Sequence, residues 1–157
     1  MGLLLERRDV DPNFPDSDLR TPLSLAASGG HEGVVKLLLE RKGVNPNSRD
    51  FYGQTPLLVA AKRGHVGVVK LLLQREEVNT GPRDCYGQTA LSLAASGGHG
   101  GVVKLLLQCG DVNPRLSDND GQTPLSPVFA NNQPSQAWGC ERMLVDFMMV
   151  GRFWGPI

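Results

Sequence analysis

Three histidines, His31, His65 and His99, stand 34 residues apart. Imidazole is the side chain most often used for proton transfer or metal ligation near neutral pH. Equal spacing, however, makes a ladder rather than a cluster. At ordinary helix-packing distances neighbouring rungs lie about 10 Å apart, whereas a shared zinc ion needs each nitrogen within about 2 Å. Each ring is therefore expected to bond backbone at a helix start. The three cysteines include Cys85 and Cys109, which replace Phe51 and Arg75 of the preceding repeat, and no Cys-x-x-Cys occurs. Reduced, isolated thiols are the expected state, and Cys85, with no adjacent histidine or cation, is not expected to be reactive. Glu76-Glu77 reads as a solvated carboxylate pair in a loop. Gly97-Gly98-His99-Gly100-Gly101 is glycine-dense but follows no strand, so it is not expected to cradle phosphate. Phosphate-loop, zinc-protease and serine-elbow motifs are absent from the chain. No catalytic, cofactor-binding or metal-ligating residue is assigned, no cofactor is expected, and the chain does not read as an enzyme.

The elements that carry these residues repeat with them. Thr21, Thr55, Thr89 and Thr123 are also 34 residues apart, and each opens Thr-Pro-Leu or, at Thr89, Thr-Ala-Leu. The first three units continue through an alanine pair and Gly-His to Val-Val-Lys-Leu-Leu-Leu, at 34–39, 68–73 and 102–107. A period of about 20 to 50 residues marks a stacked array in which each unit needs its neighbours to bury its apolar face.

Residues 50–83 show how one unit is built. Asp50-Phe51-Tyr52-Gly53 has the residues of a type I turn. Thr55 can cap a helix whose first position, Pro56, needs no N–H partner. That helix is expected over 56–63, closed by a left-handed Gly64. A second helix runs from His65 to about Gln74, with Lys70 and Gln74 on its solvent face. Its apolar band is wider than a single stripe, as a helix covered on several sides requires. One unit earlier, Glu32, Lys36 and Glu40 form a favourable i,i+4 series.

These motifs resemble the ankyrin repeat. The implied fold is all-α, a solenoid of helix-turn-helix units joined by hairpin-like turns. A single domain is expected over 1–157: a partial repeat at 1–15, full repeats at 16–49, 50–83 and 84–117, and a degenerate C-terminal repeat or cap at 118–157. Three departures stand out. The family period is about 33, one shorter than here. The histidine usual after Thr-Pro-Leu is replaced by Ser24, Leu58, Ser92 and Ser126, which weakens or replaces one hydrogen-bond network. Leu19 stands where other turns have Gly53, Gly87 and Gly121, so the first turn is expected to be distorted.

Sixteen basic residues balance sixteen acidic ones. With no charge surplus to displace counterions from phosphates, a nucleic-acid partner is not expected. No apolar run reaches the roughly 18 residues of a membrane span, so no membrane partner is expected either. The opening leucines are too few for a signal-peptide core, and an intracellular location, cytoplasmic or nuclear, follows. Arg7-Arg8, Arg41-Lys42 and Arg75 recur at one address and read as a charged edge. At the C-terminal end, residues 138–150 are spaced for an amphipathic, methionine-rich helix. A monomer with weak end-to-end self-association is expected.

The resemblance implies a non-catalytic module that binds a protein through turn tips and the exposed side of each first helix. Those positions are Arg20, Phe51, Tyr52, Gln54, Lys62, Arg63, Cys85, Tyr86, Gln88, Asn119, Asp120 and Gln122, with Ser28 and Ser96 beside them. The other reading is a passive spacer within a larger multidomain protein.

Overall fold

A computed structural model describes residues 11–124. Residues 1–10 of the partial repeat expected at the start and the segment beyond Pro124, including the methionine-rich helix, lie outside the described residues. Within them are six helices and no strand: α1 Pro22–Ser28, α2 Glu32–Glu40, α3 Pro56–Arg63, α4 Val66–Leu73, α5 Ala90–Ser96 and α6 Gly100–Leu107.

Local chemistry sets the helix starts. The hydroxyls of Thr21, Thr55 and Thr89 accept the N–H of Ser24, Leu58 and Ser92 at 3.3, 3.4 and 3.2 Å. Each satisfies a donor that the first turn leaves without an intrahelical partner. Proline adds a pre-set φ at the starts of α1 and α3. Ser92 also accepts the Thr89 N–H at 2.8 Å, closing a reciprocal box. At the other end, Gly64 turns left-handed at φ 74° and stops α3.

Two rows of helices follow from the apolar pattern. α1, α3 and α5 pack side by side, α2, α4 and α6 form the second row, and each helix also packs on its own unit's partner. The six alanines at 26, 27, 60, 61, 94 and 95 are all buried between the rows, where a larger side chain would hold the backbones apart. Val35, Val68, Val69, Leu72, Val102, Val103 and Leu106 are fully enclosed and belong to one continuous core. Lys70 and Gln74 face solvent. The Glu32–Lys36–Glu40 series is exposed too, but Glu32 leans across Gly67 of α4. It forms no ion pair with Lys36.

The first turn is not distorted. Leu19 donates to the Asp16 carbonyl at 3.0 Å, and Asp16 donates to that of Arg20 at 3.0 Å. The same two bonds join Gly53 to Asp50 and Asp50 to Gln54. The Asp16 carboxylate accepts the N–H groups of Asp18 and Arg20 as well, both at 2.9 Å. Four bonds overdetermine the turn, so the cost falls on Leu19, the non-glycine residue with positive φ among the described residues, at 62°. Replacing it relieves that strain. Leu19→Gly should raise stability by about 0.5–1 kcal/mol, the left-handed penalty of about 1–2 kcal/mol less the entropy of a freer unfolded chain. Thermal unfolding checks this: a lowered midpoint would show that the half-exposed leucine contributes more by packing than it costs by strain.

Candidate functional site

Each turn tip is stitched to the next. Phe51 donates its N–H to the Asp18 carbonyl at 3.0 Å, Cys85 to Tyr52 at 2.9 Å and Asn119 to Tyr86 at 3.0 Å. Side chains add a second thread. The Arg49 guanidinium donates to the Arg83 carbonyl and that of Arg83 to Ser117, both at 3.0 Å. On the loop side, the Asn13 side chain joins Gly43 O at 2.7 Å and Asn45 N at 2.7 Å. Asn47 does the same with Glu77 O at 2.6 Å and Asn79 N at 2.8 Å. Glycine stands at the next position, Gly81, and the asparagine thread stops there.

The histidines form a third thread, and it runs in a direction the sequence did not indicate. None of the three caps its own helix start through its side chain. His65 Nε2 instead reaches the Ser28 carbonyl at 3.0 Å, and His99 Nε2 that of Lys62 at 3.1 Å. These carbonyls end the first helix of the preceding unit, where acceptors lack intrahelical partners. Among the described residues no three His, Cys, Asp or Glu side chains gather around one point.

This framework positions a groove of about 360 Å³ between the first and second units. Arg20, Tyr52, Gln54, Lys62 and Arg63, all expected at the site, line it together. Asp18, Ser24, Ser28, Asp50 and Val59 complete the wall. Of these, Asp18, Ser24, Asp50 and Val59 had not been expected at the site. Their spacing could have found them: Ser24 lies one helical turn before Ser28, and Val59 one turn before Lys62-Arg63.

The remaining expected positions spread along the tips. Phe51 is 74% exposed and meets Tyr52 edge-on, ring centroids 6.0 Å apart. Tyr52 is 54% and Tyr86 59% exposed. Cys85 is exposed beside Tyr86, and Gln88 is half-buried. Asn119, Asp120 and Gln122 are exposed on the last described turn, where the Asn119 amide also donates to the Cys85 carbonyl at 3.1 Å. Gln54 behaves differently from the rest. It is buried, and its amide donates to Asp84 Oδ2 at 3.4 Å, so it braces one turn against the next.

Charge in the groove is unevenly matched. Arg20 lies 2.8 Å from Asp16 and 3.0 Å from Asp18. The hydrogen bond from its side chain holds the Asp16 carboxyl below the usual range, and Asp16 in turn raises Arg20. Asp50 is occupied by the N–H groups of Tyr52 and Gln54 at 2.9 and 2.8 Å. Lys62 and Arg63 are exposed and form no ion pair among the described residues. Away from the groove, burial and the nearby Asp111 push the Cys109 thiol up, which disfavours the thiolate a nucleophile needs. Arg41, Lys42 and Arg75 border a second hollow of about 260 Å³ at the loop edge, where Arg75 lies 3.4 Å from Glu77. Arg7 and Arg8, expected along the same edge, lie outside the described residues.

No helix among the described residues is long and apolar enough to cross a membrane. A comparison with curated proteins found no match. A family model describing ankyrin repeats, three copies, matches residues 1–84 and 76–135. Capped first helices, left-handed glycines and tips joined at a constant step are what that match looks like in atoms, and the chain belongs to the ankyrin-repeat family, whose members generally serve as protein–protein interaction modules.

Proposed function

We propose that this chain is a non-catalytic binding module that captures a protein through its turn tips and the groove beside them. The observation that carries this reading is the exposure of Phe51, Tyr52 and Tyr86 on backbone that inter-unit hydrogen bonds hold in place. Exposed aromatics of this kind lose little entropy on binding, and tyrosine is enriched among the residues that dominate interface energies. Rigid tips also spare a partner the cost of ordering them. The module works as an intracellular monomer, without cofactor, nucleic acid or membrane.

The test is simultaneous replacement of Phe51, Tyr52 and Tyr86 by alanine. Because these rings lie outside the core, each change should cost no more than about 0.5 kcal/mol of stability. Capture of a protein partner from a native lysate should fall at least tenfold, as loss of about 1.4 kcal/mol of anchoring implies. Full capture by a folded triple variant would place binding elsewhere. A collapse of its melting temperature would make the aromatics structural.

A further inference from the structure

The second unit departs from its neighbours at one place in the groove. α1 and α5, each with its following residue, end Ser28-Gly29 and Ser96-Gly97, but α3 ends Lys62-Arg63. Cations suit a helix C-terminus, yet α1 and α5 close without them, so the pair is not a requirement of ending this helix. Nor does it serve a neighbour through its side chains: both cations are exposed and unpaired among the described residues, while the groove's carboxylates are already engaged. The opposite end of the same groove presents Tyr52, and Val59 lies in its wall.

Resting on the binding reading above, we propose that the groove between the first and second units takes an acidic segment of a partner protein, with Asp or Glu side chains against Lys62 and Arg63 and an apolar or aromatic residue against Tyr52 and Val59. The fit is one of local charge. The chain as a whole is neutral, so it does not attract polyanions at long range, and the acidic tips at Asp18 and Asp50 disfavour a ligand that is anionic throughout. A segment of mixed character satisfies both ends. Arg63 presents a planar fork suited to a carboxylate, and Lys62 a mobile point charge beside it.

A glutamate–tyrosine random copolymer and a lysine–tyrosine copolymer serve as labelled probes for the full chain, with an oligo-dT strand as a phosphate control. The decisive variant combines Lys62→Ser with Arg63→Gly, the residues that the flanking units carry at these positions. A second, Lys62→Met with Arg63→Gln, keeps the aliphatic stems. The glutamate copolymer should bind, weaken about five- to tenfold in both variants at low ionic strength, and lose that difference near 0.5 M salt, roughly where exposed pairs are screened. Undiminished binding by the variants overturns the proposal, as do failure of the glutamate copolymer to bind, equal binding of the lysine copolymer and equal binding of oligo-dT. The two readings fail separately. Lysate capture that needs the tip aromatics but ignores Lys62 and Arg63 rejects the acidic segment alone, whereas capture that survives the triple tip variant rejects tip-mediated binding itself.

Discussion

Val69→Asp is expected to unfold the array under conditions where the parent chain is fully folded. Val69 has no exposed surface and sits in the second helix of the central unit, α4, which packs against both α2 and α6. A carboxylate there has no partner and no water, and such a burial costs several kcal/mol, roughly 3–5. Whole domains are stable by only about 5–15 kcal/mol, so one side chain removes much of the margin. The loss should spread, because each unit of a stacked array depends on its neighbours. Burial raises the folded-state pKa of the new Asp above its unfolded value. Its penalty is therefore full above that raised pKa and shrinks as pH falls through it. Urea unfolding at pH 7 and at pH 5 reads both effects. An unchanged midpoint at neutral pH would mean that α4 presents a different face to the core.

Gly64→Ala is the second large effect, and the chain contains its own control. Gly64 and Gly98 occupy equivalent positions with nearly the same φ, 74° and 70°. Among the described residues a Cβ at Gly98 meets nothing within 4 Å, whereas one at Gly64 runs into His99 Nδ1. Gly98→Ala should thus cost only left-handed strain, about 1–2 kcal/mol. Gly64→Ala must also displace the imidazole and break its bond to the Lys62 carbonyl, adding about 1–2 kcal/mol. Melting curves of the two variants should differ by at least ~1 kcal/mol. Introducing His99→Ala into both should erase the difference. Equal losses with His99 present would show that the ring yields freely and does not brace the joint between units.

Much of this fold is legible in sequence because its signals are local. Thr55, Pro56 and Gly64 bound the eight-residue α3, and each acts through its own backbone or the next turn. Signals that cross between units read less well. His65 and His99 each bond a carbonyl 37 residues earlier, and nothing beside either ring says which neighbour it faces. Gln54 looks like a tip residue until the stack brings Asp84 to it. Leu19 breaks the glycine pattern, yet its turn survives because Asp16 anchors it from both ends. At the candidate site, the positions of Tyr52, Lys62 and Arg63 follow from register. Their convergence with Ser24 and Asp18 on one groove follows from the packing of α3 on α1.

The arginine stitches have a consequence for inheritance. Arg49 reaches a carbonyl 34 residues ahead, and so does Arg83; the bond depends on the step and not on which unit lies at the far end. Removing one whole interior step from the gene would present each donor with an equivalent acceptor, while a single inserted codon would put every later donor out of phase with those before it. Such a chain can change length by duplication or loss of whole blocks, each mutational event leaving a foldable product. Lys62, Arg63 and the Phe51-Tyr52 pair all lie within one such block, so its loss would remove these proposed contact residues and leave the scaffold standing.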